Sequence, residues 1–329
     1  MKKIDFVIPW VNGNDPKWLA NKKLYLPSNA SSINVSDVRF RDYNTLKYVF
    51  RSIEYFASWV HRIYLITDNQ TPEWLDVNNS KVTVIDHKQI IDKQYLPIFN
   101  SNVIDWNIDN IPNLEEQFVY FNDDTLLNRK LKPEDFFIDG KPRDSRLYTD
   151  LIPSSDFDHI VVNNDILMNT WLNGKWPLSK KGLWYKGYSL KRLRNLIFLP
   201  QIKKSGIMGY VEPHGPMAFT KNSFRKVKRI WGPEIEKVYY HRFRSPEDIS
   251  IWLVRHFQLE TGDFEPRSDL SNHYSNIGNI SEIEDYLMHN KSETICINDD
   301  ENIDNYQLKV KKIQSILEKK FPKKSLFEK

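Results

Sequence analysis

The chain has 329 residues, of which 40% are hydrophobic, 13% aromatic and 27% charged, and its formal net charge is +4. This length and apolar content allow one large domain or two smaller ones, and so mild a charge gives no indication of nucleic-acid binding. The single cysteine, Cys296, excludes an internal disulfide framework and a cysteine-rich zinc site, and it suits a reducing cytoplasm.

The first predicted element is a strand over residues 4–11, an almost continuous apolar run typical of a strand buried on both faces. This run is too short for a signal peptide and contains Asp5. No segment approaches the roughly 20 apolar residues that a membrane span needs. We therefore expect a cytoplasmic protein that is soluble or peripheral to the inner face of the plasma membrane. Gly13, which can take a positive φ, and Pro16, which suits a first helical turn, follow the strand.

Strands and helices alternate through the rest of the first half. The predicted elements are a helix over residues 42–58 capped by Asp42, a strand over 63–66, a short helix over 72–75, a strand over 82–85, a helix from near Ser101 and a strand over 118–121. This alternation predicts an α/β fold with a mostly parallel central sheet and flanking helices, either Rossmann-like or glycosyltransferase-A-like, with a helical insertion in the second half.

Two adjacent carboxylates, Asp123 and Asp124, follow the last of these strands directly after Asn122. Ionised aspartate is rarely buried without a partner, and the carboxyl edge of a parallel sheet is where α/β proteins hold ligands. Two aspartates at that edge could bind a divalent cation through oxygen, and the cation could hold phosphates. The alternative is an Asx-type turn after a strand.

The second half is less regular, and one stretch within it is basic and aromatic. Between residues 180 and 204 there are eight cations and no acidic residue: Lys180, Lys181, Lys186, Lys191, Arg192, Arg194, Lys203 and Lys204. Such a stretch could contact a membrane surface, an anionic polymer or nucleic acid. The competing interpretation is a solvated helix face with an ordinary buried stripe.

Two further candidates lie nearer the C-terminus. His214 stands between two prolines, which hold its backbone and could position it as a general base, although a surface-loop histidine without a role would look the same. Arg244 precedes Ser245 and Pro246, a predicted cap and first turn of a helix over residues 249–259. Arg244 could therefore bind phosphate or form an ordinary surface salt bridge.

The C-terminal part contains a second run of the type Asn-Asp-Asp, at residues 298–300, followed by a basic amphipathic helix over residues 308–321. The run is either a second carboxylate site or a strand end with a turn. The sequence contains no glycine-rich phosphate loop, no nucleophile elbow and no histidine pair with zinc spacing.

Taken together and in order, these segments resemble the Stealth family. The matching segments are IDFVIPWVNGND at residues 4–15, RFRD at 39–42, LKY at 46–48, RSIE at 51–54, WVHRIYLITDNQ at 59–70, FNDD at 121–124, DFF at 135–137, HGP at 214–216, RSPED at 244–248, CINDD at 296–300 and FPKKSLFE at 321–328. The resemblance covers nearly the whole chain and is far more specific than any single motif.

The resemblance implies a sugar-1-phosphate transferase of capsular or other surface polysaccharide synthesis. Its donor would be a nucleotide diphosphate sugar, and its acceptor a growing or lipid-linked polysaccharide. By the same resemblance, Asp124, His214 and Arg244 match active-site positions, and Asp105 falls where many members carry Glu. Our hypothesis gives His214 or Asp105 the role of base toward the acceptor hydroxyl, and Arg244 the stabilisation of the phosphoryl oxygens. Asp123 and Asp124 would hold Mg²⁺ or Mn²⁺, or Asp124 would act directly. The residues expected on the nucleotide side are Trp10, Asn12, Gly13, Asp15, Arg39 and Asn122.

We expect residues 1–139 to form the nucleotide-sugar-binding half, 140–210 a variable, basic insertion on the acceptor side, and 211–329 a second half that completes the same domain. Peripheral membrane contact would involve the basic stretch, and the sequence gives no indication of the oligomeric state. Two alternatives compete with this interpretation. One is a metal-dependent glycosyltransferase that releases nucleoside diphosphate, and the other is a non-catalytic polysaccharide-binding module.

Overall fold

The computed structural model describes residues 2–26, 40–155, 157–299 and 303–329. Its central sheet contains β1 (Ile4–Pro9), β2 (Arg62–Thr67), β3 (Val82–Asp86), β4 (Gln117–Tyr120) and β8 (Met217–Thr220), in the order β3-β2-β1-β4-β8. All neighbouring strands are parallel except β8, which runs antiparallel to β4. The predicted α/β fold with a mostly parallel central sheet is therefore confirmed.

The central strands are buried on both faces because helices cover each side of the sheet. Phe6 and Ile8 of β1 point into one hydrophobic core, whereas Val7 points into the other. This alternation follows from the two-residue period of a strand. A run of apolar residues without polar alternation is what such a doubly covered strand requires.

Two small sheets extend this framework. The first contains β10 (Asn272–Asn276), β11 (Thr294–Asn298) and β5 (Thr125–Leu127), with β10 parallel and β5 antiparallel to β11. The second contains β6 (Phe137–Ile138), β7 (Lys141–Asp144) and β9 (Glu265–Pro266). Because β5 begins directly after the Asn-Asp-Asp segment, the first small sheet brings C-terminal residues against the edge of the central sheet.

The helices are distributed along the whole chain. They are α1 (Pro16–Leu24), α2 (Leu46–Phe56), α3 (Ser101–Trp106), α4 (Pro133–Phe136), α5 (Asp158–Leu172), α6 (Arg192–Ser205), α7 (Lys221–Tyr239), α8 (Trp252–Thr261), α9 (Ile280–Met288) and α10 (Tyr306–Lys320). The predicted helix starting near Ser101 and the predicted C-terminal helix are both present.

Three predicted boundaries were wrong. The α2 helix begins at Leu46, because Asp42 accepts hydrogen bonds from the Trp10 indole and the Asn44 backbone instead of capping the helix. Residues 72–75 form a turn in which Leu75 bridges to Glu328, rather than a short helix. The first strand ends at Pro9, two residues earlier than predicted.

The helix after Arg244 also starts later than predicted, at Trp252 rather than at residue 249. The Asp248 carboxylate accepts from the Ser245 backbone, as in a capping box, but it also accepts from Asn100 and Asn102. The carbonyl of Ile249 accepts from the Trp106 indole, 2.9 Å away. These long-range bonds keep the segment before Trp252 non-helical.

Tyr148, inside the 140–210 segment, lies beside Tyr210 at the end of that segment. Tyr148 and Tyr210 form an antiparallel bridge, and the Val211 backbone donates to the Leu147 carbonyl at 2.9 Å. Helices α5 and α6 lie within this segment. Met168 and Ile202 from these helices pack into the same core as Val7. The segment is thus helical, as predicted, and continuous with one face of the central sheet.

Candidate active site

The topology brings three chain segments to one edge of the central sheet. The parallel strands β1 and β4 end there, so that Trp10 and Asn122 follow at neighbouring positions. The antiparallel β8 begins at the same edge, where Met217 pairs with Tyr120. His214, three residues before Met217, therefore lies at the edge from which Asp123 and Asp124 project. This is the carboxyl edge where α/β sheets hold ligands.

A buried carboxylate and a partly buried guanidinium influence each other electrostatically near this edge. Asp105, on α3, is only 7% exposed, and its Oδ1 atom has no hydrogen-bond partner within the described residues. Burial raises the pKa of Asp105 to about 7, against the opposing effects of a hydrogen bond with Tyr120 and the charge of Arg244. Burial also lowers the pKa of Arg244, while Asp105 opposes that shift. Perturbed groups of this kind are typical of active sites.

Arg244 is anchored by groups on both sides of it. Its Nη2 atom donates to the Ser101 hydroxyl at 2.7 Å, in the first turn of α3. Asp248, fully buried, accepts from the side chains of Asn100 and Asn102 at 2.8 and 3.0 Å. The loop that carries Arg244 is thereby attached to the helix that carries Asp105.

His214 is exposed at the mouth of the crevice and is packed between aromatic rings. Its ring centroid lies 4.5 Å from that of Tyr274 and 6.2 Å from that of Trp252. Desolvation lowers the pKa of His214, although the charge of Glu212 acts in the opposite direction. The imidazole is therefore neutral at neutral pH and can accept a proton.

The backbone beside His214 requires glycine because of a close approach. A Cβ atom on Gly215 would lie 2.5 Å from the Asn272 side chain. Glu212, two residues before His214, forms ion pairs with Arg255 at 2.8 Å and with His256. Although burial alone would raise it, these two partners lower the pKa of Glu212. The His214 loop is thus held at both ends.

A continuous line of aromatic contacts connects His214 with Arg244. The Trp252 ring lies 5.8 Å from the Phe157 ring, and the Arg244 Cζ atom lies 6.0 Å from the centre of Phe157. Together with the contact between His214 and Trp252, these distances place the imidazole and the guanidinium along one wall. On the other side, His214 contacts Tyr274.

The opposite wall leads to the paired aspartates. Tyr274 pairs with Cys296, which pairs with Thr125 in the small sheet. The Cys296 thiol donates to Asp124 Oδ2 at 3.4 Å, and the Thr125 hydroxyl donates to Asp124 Oδ1 at 3.1 Å. Burial raises the pKa of Asp124. A relay of contacts along this edge therefore links Asp124 to His214 through Tyr274, and His214 to Arg244 through Trp252 and Phe157.

Asp123 lies near two further carboxylates, those of Asp124 and Asp42. Burial, followed by the charges of Asp124 and Asp42, holds the pKa of Asp123 well above its usual range. Burial also raises the pKa of Asp42, which accepts from the Trp10 indole at 3.2 Å. Carboxylates crowded in this way favour binding of a cation.

The donor set suits a divalent ion shared with a substrate better than a site closed by protein alone. Within residues 2–26, 40–155, 157–299 and 303–329, no group of three His, Cys, Asp or Glu side chains converges on a metal position. Mg²⁺ is commonly held by one or two carboxylates together with phosphate oxygens and water. Asp123 and Asp124 fit that mode.

The other predicted nucleotide-side residues have varied surroundings. Asn12 exchanges two hydrogen bonds with Gln70, and Gly13 approaches Phe40 so closely that a Cβ atom would lie 1.8 Å from its carbonyl oxygen. This close approach, and not the expected positive φ, requires glycine there. Asp15 caps α1 by accepting from two backbone amides. Asn122 is exposed at the edge, and Arg39 lies outside the described residues.

The second Asn-Asp-Asp run also reaches this region, although its residue 300 lies outside the described residues. Asp299 lies 3.6 Å from the Arg41 guanidinium and accepts from the Tyr306 hydroxyl at 3.3 Å. Its charge is one of those that raise the pKa of the buried Tyr43. This run is therefore a strand end that borders the acidic side of the crevice.

Several residues of the site were missed by sequence reasoning. They are Tyr120, Ser101, Tyr274, Trp252 and Phe157. Tyr120 is the last residue of β4, so its place before the Asn-Asp-Asp segment was an available signal. The others reach the crevice only through tertiary packing, and no local pattern in the sequence identifies them.

Family models of the Stealth proteins match the chain in three places. Conserved region 1 matches residues 2–30, conserved region 2 matches 39–144 and conserved region 3 matches 213–257. Residues from all three regions form the crevice: Trp10 from the first, Asp105 and Asp124 from the second, and His214 and Arg244 from the third. The matched segments thus coincide with the parts of the chain that meet at the sheet edge.

Several relatives that match over their full length are named polysaccharide phosphotransferases. The chain is 40% identical to the exopolysaccharide phosphotransferase cps2G of Lactiplantibacillus plantarum, over 99% of this chain and 96% of that protein. It is 39% identical to a capsular polysaccharide phosphotransferase WcwK of Streptococcus pneumoniae, over 100% of both chains. It is 33% identical to the receptor polysaccharide phosphotransferase WefC of Streptococcus oralis, again over 100% of both.

Solved structures are more distant. The apo form of the glycosyltransferase GlyE of Streptococcus pneumoniae aligns with 98% of this chain and 64% of its own, with a TM-score of 0.40 and 9% identity. A likeness of this size supports no conclusion about the present chain. Among the residues that the structure describes, no helix is long and apolar enough to span a membrane.

The relatives that match this chain over essentially their whole length are named phosphotransferases. The prediction of an enzyme of this class is therefore confirmed. The family models and the full-length identities establish that this chain belongs to the Stealth family.

Proposed function

We propose that the protein transfers sugar-1-phosphate from a nucleotide diphosphate sugar to a hydroxyl group of an acceptor glycan, forming phosphodiester links in a capsular or other surface polysaccharide. The observation that carries this proposal is that Arg244 is anchored to the helix that carries Asp105, at the sheet edge where Asp123, Asp124 and His214 also lie. Phosphoryl transfer chiefly requires positioning and charge neutralisation, and these residue types supply both.

Arg244 would bind the phosphoryl oxygens of the donor. A guanidinium remains charged even when burial lowers its pKa, and in a crevice with little water its interaction with an anion is strong. The hydrogen bond to Ser101 fixes its direction. Asp105, whose charge acts on Arg244, would balance the charge of the guanidinium before the donor binds.

His214 would accept the proton of the acceptor hydroxyl. It is neutral and exposed at the mouth of the crevice, where a sugar can reach it, whereas Asp105 is almost fully buried. The acceptor oxygen then attacks the phosphorus that carries the donor sugar. The bond from this phosphorus to the bridging oxygen breaks, and nucleoside monophosphate leaves with that oxygen.

Asp123 and Asp124 would hold Mg²⁺ or Mn²⁺, which when bound would neutralise charge on the donor phosphates. Trp10, Asn12 and Gly13 would border the nucleotide at the end of β1, and Asp15, Arg39 and Asn122 would support that side. Residues 1–139 would then form the donor half, 140–210 the acceptor-side insertion and 211–329 the part that completes the domain. The acceptor would be a growing or lipid-linked polysaccharide in the cytoplasm.

Incubation with a panel of nucleotide sugars, with and without EDTA, tests this proposal. Release of nucleoside monophosphate that depends on acceptor and is lost on chelation is the expected result. Release of nucleoside diphosphate would instead favour the metal-dependent glycosyltransferase. Binding of glycan without turnover of any donor would favour a polysaccharide-binding module.

A further inference from the structure

The α6 helix presents an apolar stripe to solvent. Leu193, Leu196 and Ile197 are 49%, 56% and 61% exposed, whereas only Asn195 and Ile202 on this helix are buried. The three exposed positions share one face, because they are spaced three and four residues apart. The opposite face of α6 carries an ordinary buried stripe, in which Ile202 is buried and Phe198 and Leu199 are partly buried against the core. The helix therefore has a second apolar face, which is turned outward.

Cations border this stripe on both sides. At the helical repeat of 100° per residue, Arg192 and Lys203 fall on one flank of the apolar face and Arg194 on the other. Each of these three side chains is exposed, and no ion pair involves them among the described residues. Between residues 166 and 211 the sequence has nine cations and no acidic residue. Lysine and arginine at the margins of an apolar face can extend toward anionic groups while their stems cover apolar surface.

Further exposed apolar and basic side chains lie in the segment before the helix. Trp184 and Leu190 are 56% and 78% exposed. Three cations in this segment, Lys180, Lys186 and Lys191, are exposed as well. We define the basic apolar surface as Trp184, Leu190, Leu193, Leu196 and Ile197 with their flanking cations.

The base beneath this surface is rigid. Asn195 accepts from the Tyr148 backbone at 3.1 Å and donates to the Leu183 carbonyl at 2.9 Å. Arg146, fully buried in an ion pair with Glu260, donates to the carbonyls of Ser179 and Lys181. The apolar side chains are thus held outward by a fixed framework.

We propose that the basic apolar surface docks on an anionic lipid bilayer, with Leu193, Leu196 and Ile197 inserted at the level of the headgroups. Exposed apolar side chains beside several cations combine the two contributions that bind a protein to an anionic membrane surface, buried apolar area and electrostatic attraction. A protein partner would need acidic groups matched to each cation, whereas a bilayer supplies negative charge over the whole area. Tyr148, which contacts Asn195, pairs with Tyr210, four residues before His214.

The proposed function enters this inference only as the reason for docking, which would bring the crevice to a lipid-linked acceptor. The test is sedimentation of the purified chain with vesicles of equal parts phosphatidylglycerol and phosphatidylcholine, without donor or acceptor. We expect binding to these vesicles, weaker binding to pure phosphatidylcholine and loss of binding at high salt.

Two sets of variants locate the binding. The double substitution L196S/I197S should weaken vesicle binding by roughly tenfold or more, and R192Q/R194Q should weaken it and reduce its salt dependence. Matched controls on α10 are Leu308→Ser, at a leucine 54% exposed, and K311Q/K312Q. These controls should bind like the wild type.

Absence of binding to anionic vesicles, or equal binding by L196S/I197S and the wild type, would overturn the inference. The inference would also be overturned if the wild type did not bind vesicles and L196S/I197S changed the molar mass measured by ultracentrifugation. That result would assign the surface to a second copy of the chain. Monophosphate release from a soluble donor is measured separately. Failed docking with normal release therefore leaves the proposed function standing.

Discussion

Arg244 donates a 2.7 Å hydrogen bond to Ser101, one helical turn before Asp105. This bond joins a loop of the third conserved region to a helix of the second. The bond fixes the direction of Arg244, the only guanidinium that we assign to the donor phosphate. Variants of Arg244 test the guanidinium itself, and variants of Ser101 test its positioning.

Arg244→Lys should lower kcat by about 10²–10³-fold, because an ammonium ion cannot reproduce the fork of a guanidinium. Ser101→Ala should cost less, roughly tenfold, since the charge remains but its anchor is lost. Steady-state monophosphate release measures both. Arg225→Lys, at an exposed ion pair with Glu116, is the matched control and should be silent. Normal activity in Arg244→Lys would remove this residue from the mechanism.

The charge of Asp105 predicts a particular pH profile. Because burial raises its pKa to about 7, activity should fall as the pH drops below that value and the carboxylate that balances Arg244 becomes protonated. His214 should add a second loss at lower pH, since desolvation lowers its pKa. The dependence of kcat/KM on pH should therefore show two acid-side inflections.

Asp105→Asn should abolish the inflection near pH 7 and reduce the rate by about 10²-fold. Asp105→Glu restores a carboxylate and should retain activity within roughly tenfold of the wild type. An unchanged inflection near pH 7 in Asp105→Asn would assign that titration to another group.

Gly215→Ala should reduce turnover while the protein remains folded. The added Cβ would lie 2.5 Å from the Asn272 side chain, so we expect the loop beside it to shift together with that side chain and to carry His214 with it. A displacement of about 1 Å can cost roughly 10²-fold in rate. Gly232→Ala is the control, because a Cβ there meets nothing within 4 Å. Equal activity in the two variants would show that the loop tolerates displacement.

Asp248→Asn should destabilise the fold by about 2–4 kcal/mol, since it places an amide donor opposite Asn100 and Asn102. The cost should depend on pH through His241, whose pKa is raised by its hydrogen bond to Asp248 despite opposing burial. A raised histidine pKa contributes stability that is present below the unfolded pKa and lost as pH rises through the folded one.

The loss of stability in Asp248→Asn should therefore be larger at about pH 5.5 than at about pH 9. Urea denaturation at the two pH values measures it. Glu247→Gln, at an exposed neighbouring carboxylate, should cost under about 0.5 kcal/mol. A loss that does not change with pH would contradict the role of His241.

The four parallel strands of the central sheet could be predicted because their apolar runs need no partner to be recognised, whereas the short antiparallel β8 was not predicted. The pattern around Asn122, Asp123 and Asp124 also places carboxylates at a strand end without knowledge of tertiary contacts. By contrast, Asp42 looks like a helix cap in the sequence, and only the Trp10 indole, 32 residues away, explains its orientation. Long-range hydrogen bonds outweighed local propensity there.

The predicted helix start after Arg244 was wrong for the same reason. Ser245 and Pro246 have the composition of a helix start, but Asp248 and Ile249 are occupied by bonds to α3. The basic stretch was ambiguous, because periodicity shows that one face of a helix is apolar but not whether that face is covered. The structure shows both situations on one helix, since Ile202 is buried against the core whereas Leu196 and Ile197 are exposed.

The most direct test of the account follows the phosphorus atom nearest the donor sugar. A nucleotide diphosphate sugar radiolabelled at that phosphorus is incubated with enzyme and acceptor, and the products are separated. The account predicts that the label appears in the acceptor glycan, in a phosphodiester, while unlabelled nucleoside monophosphate is released. Label remaining in released nucleoside diphosphate, with an unlabelled sugar on the acceptor, would contradict it.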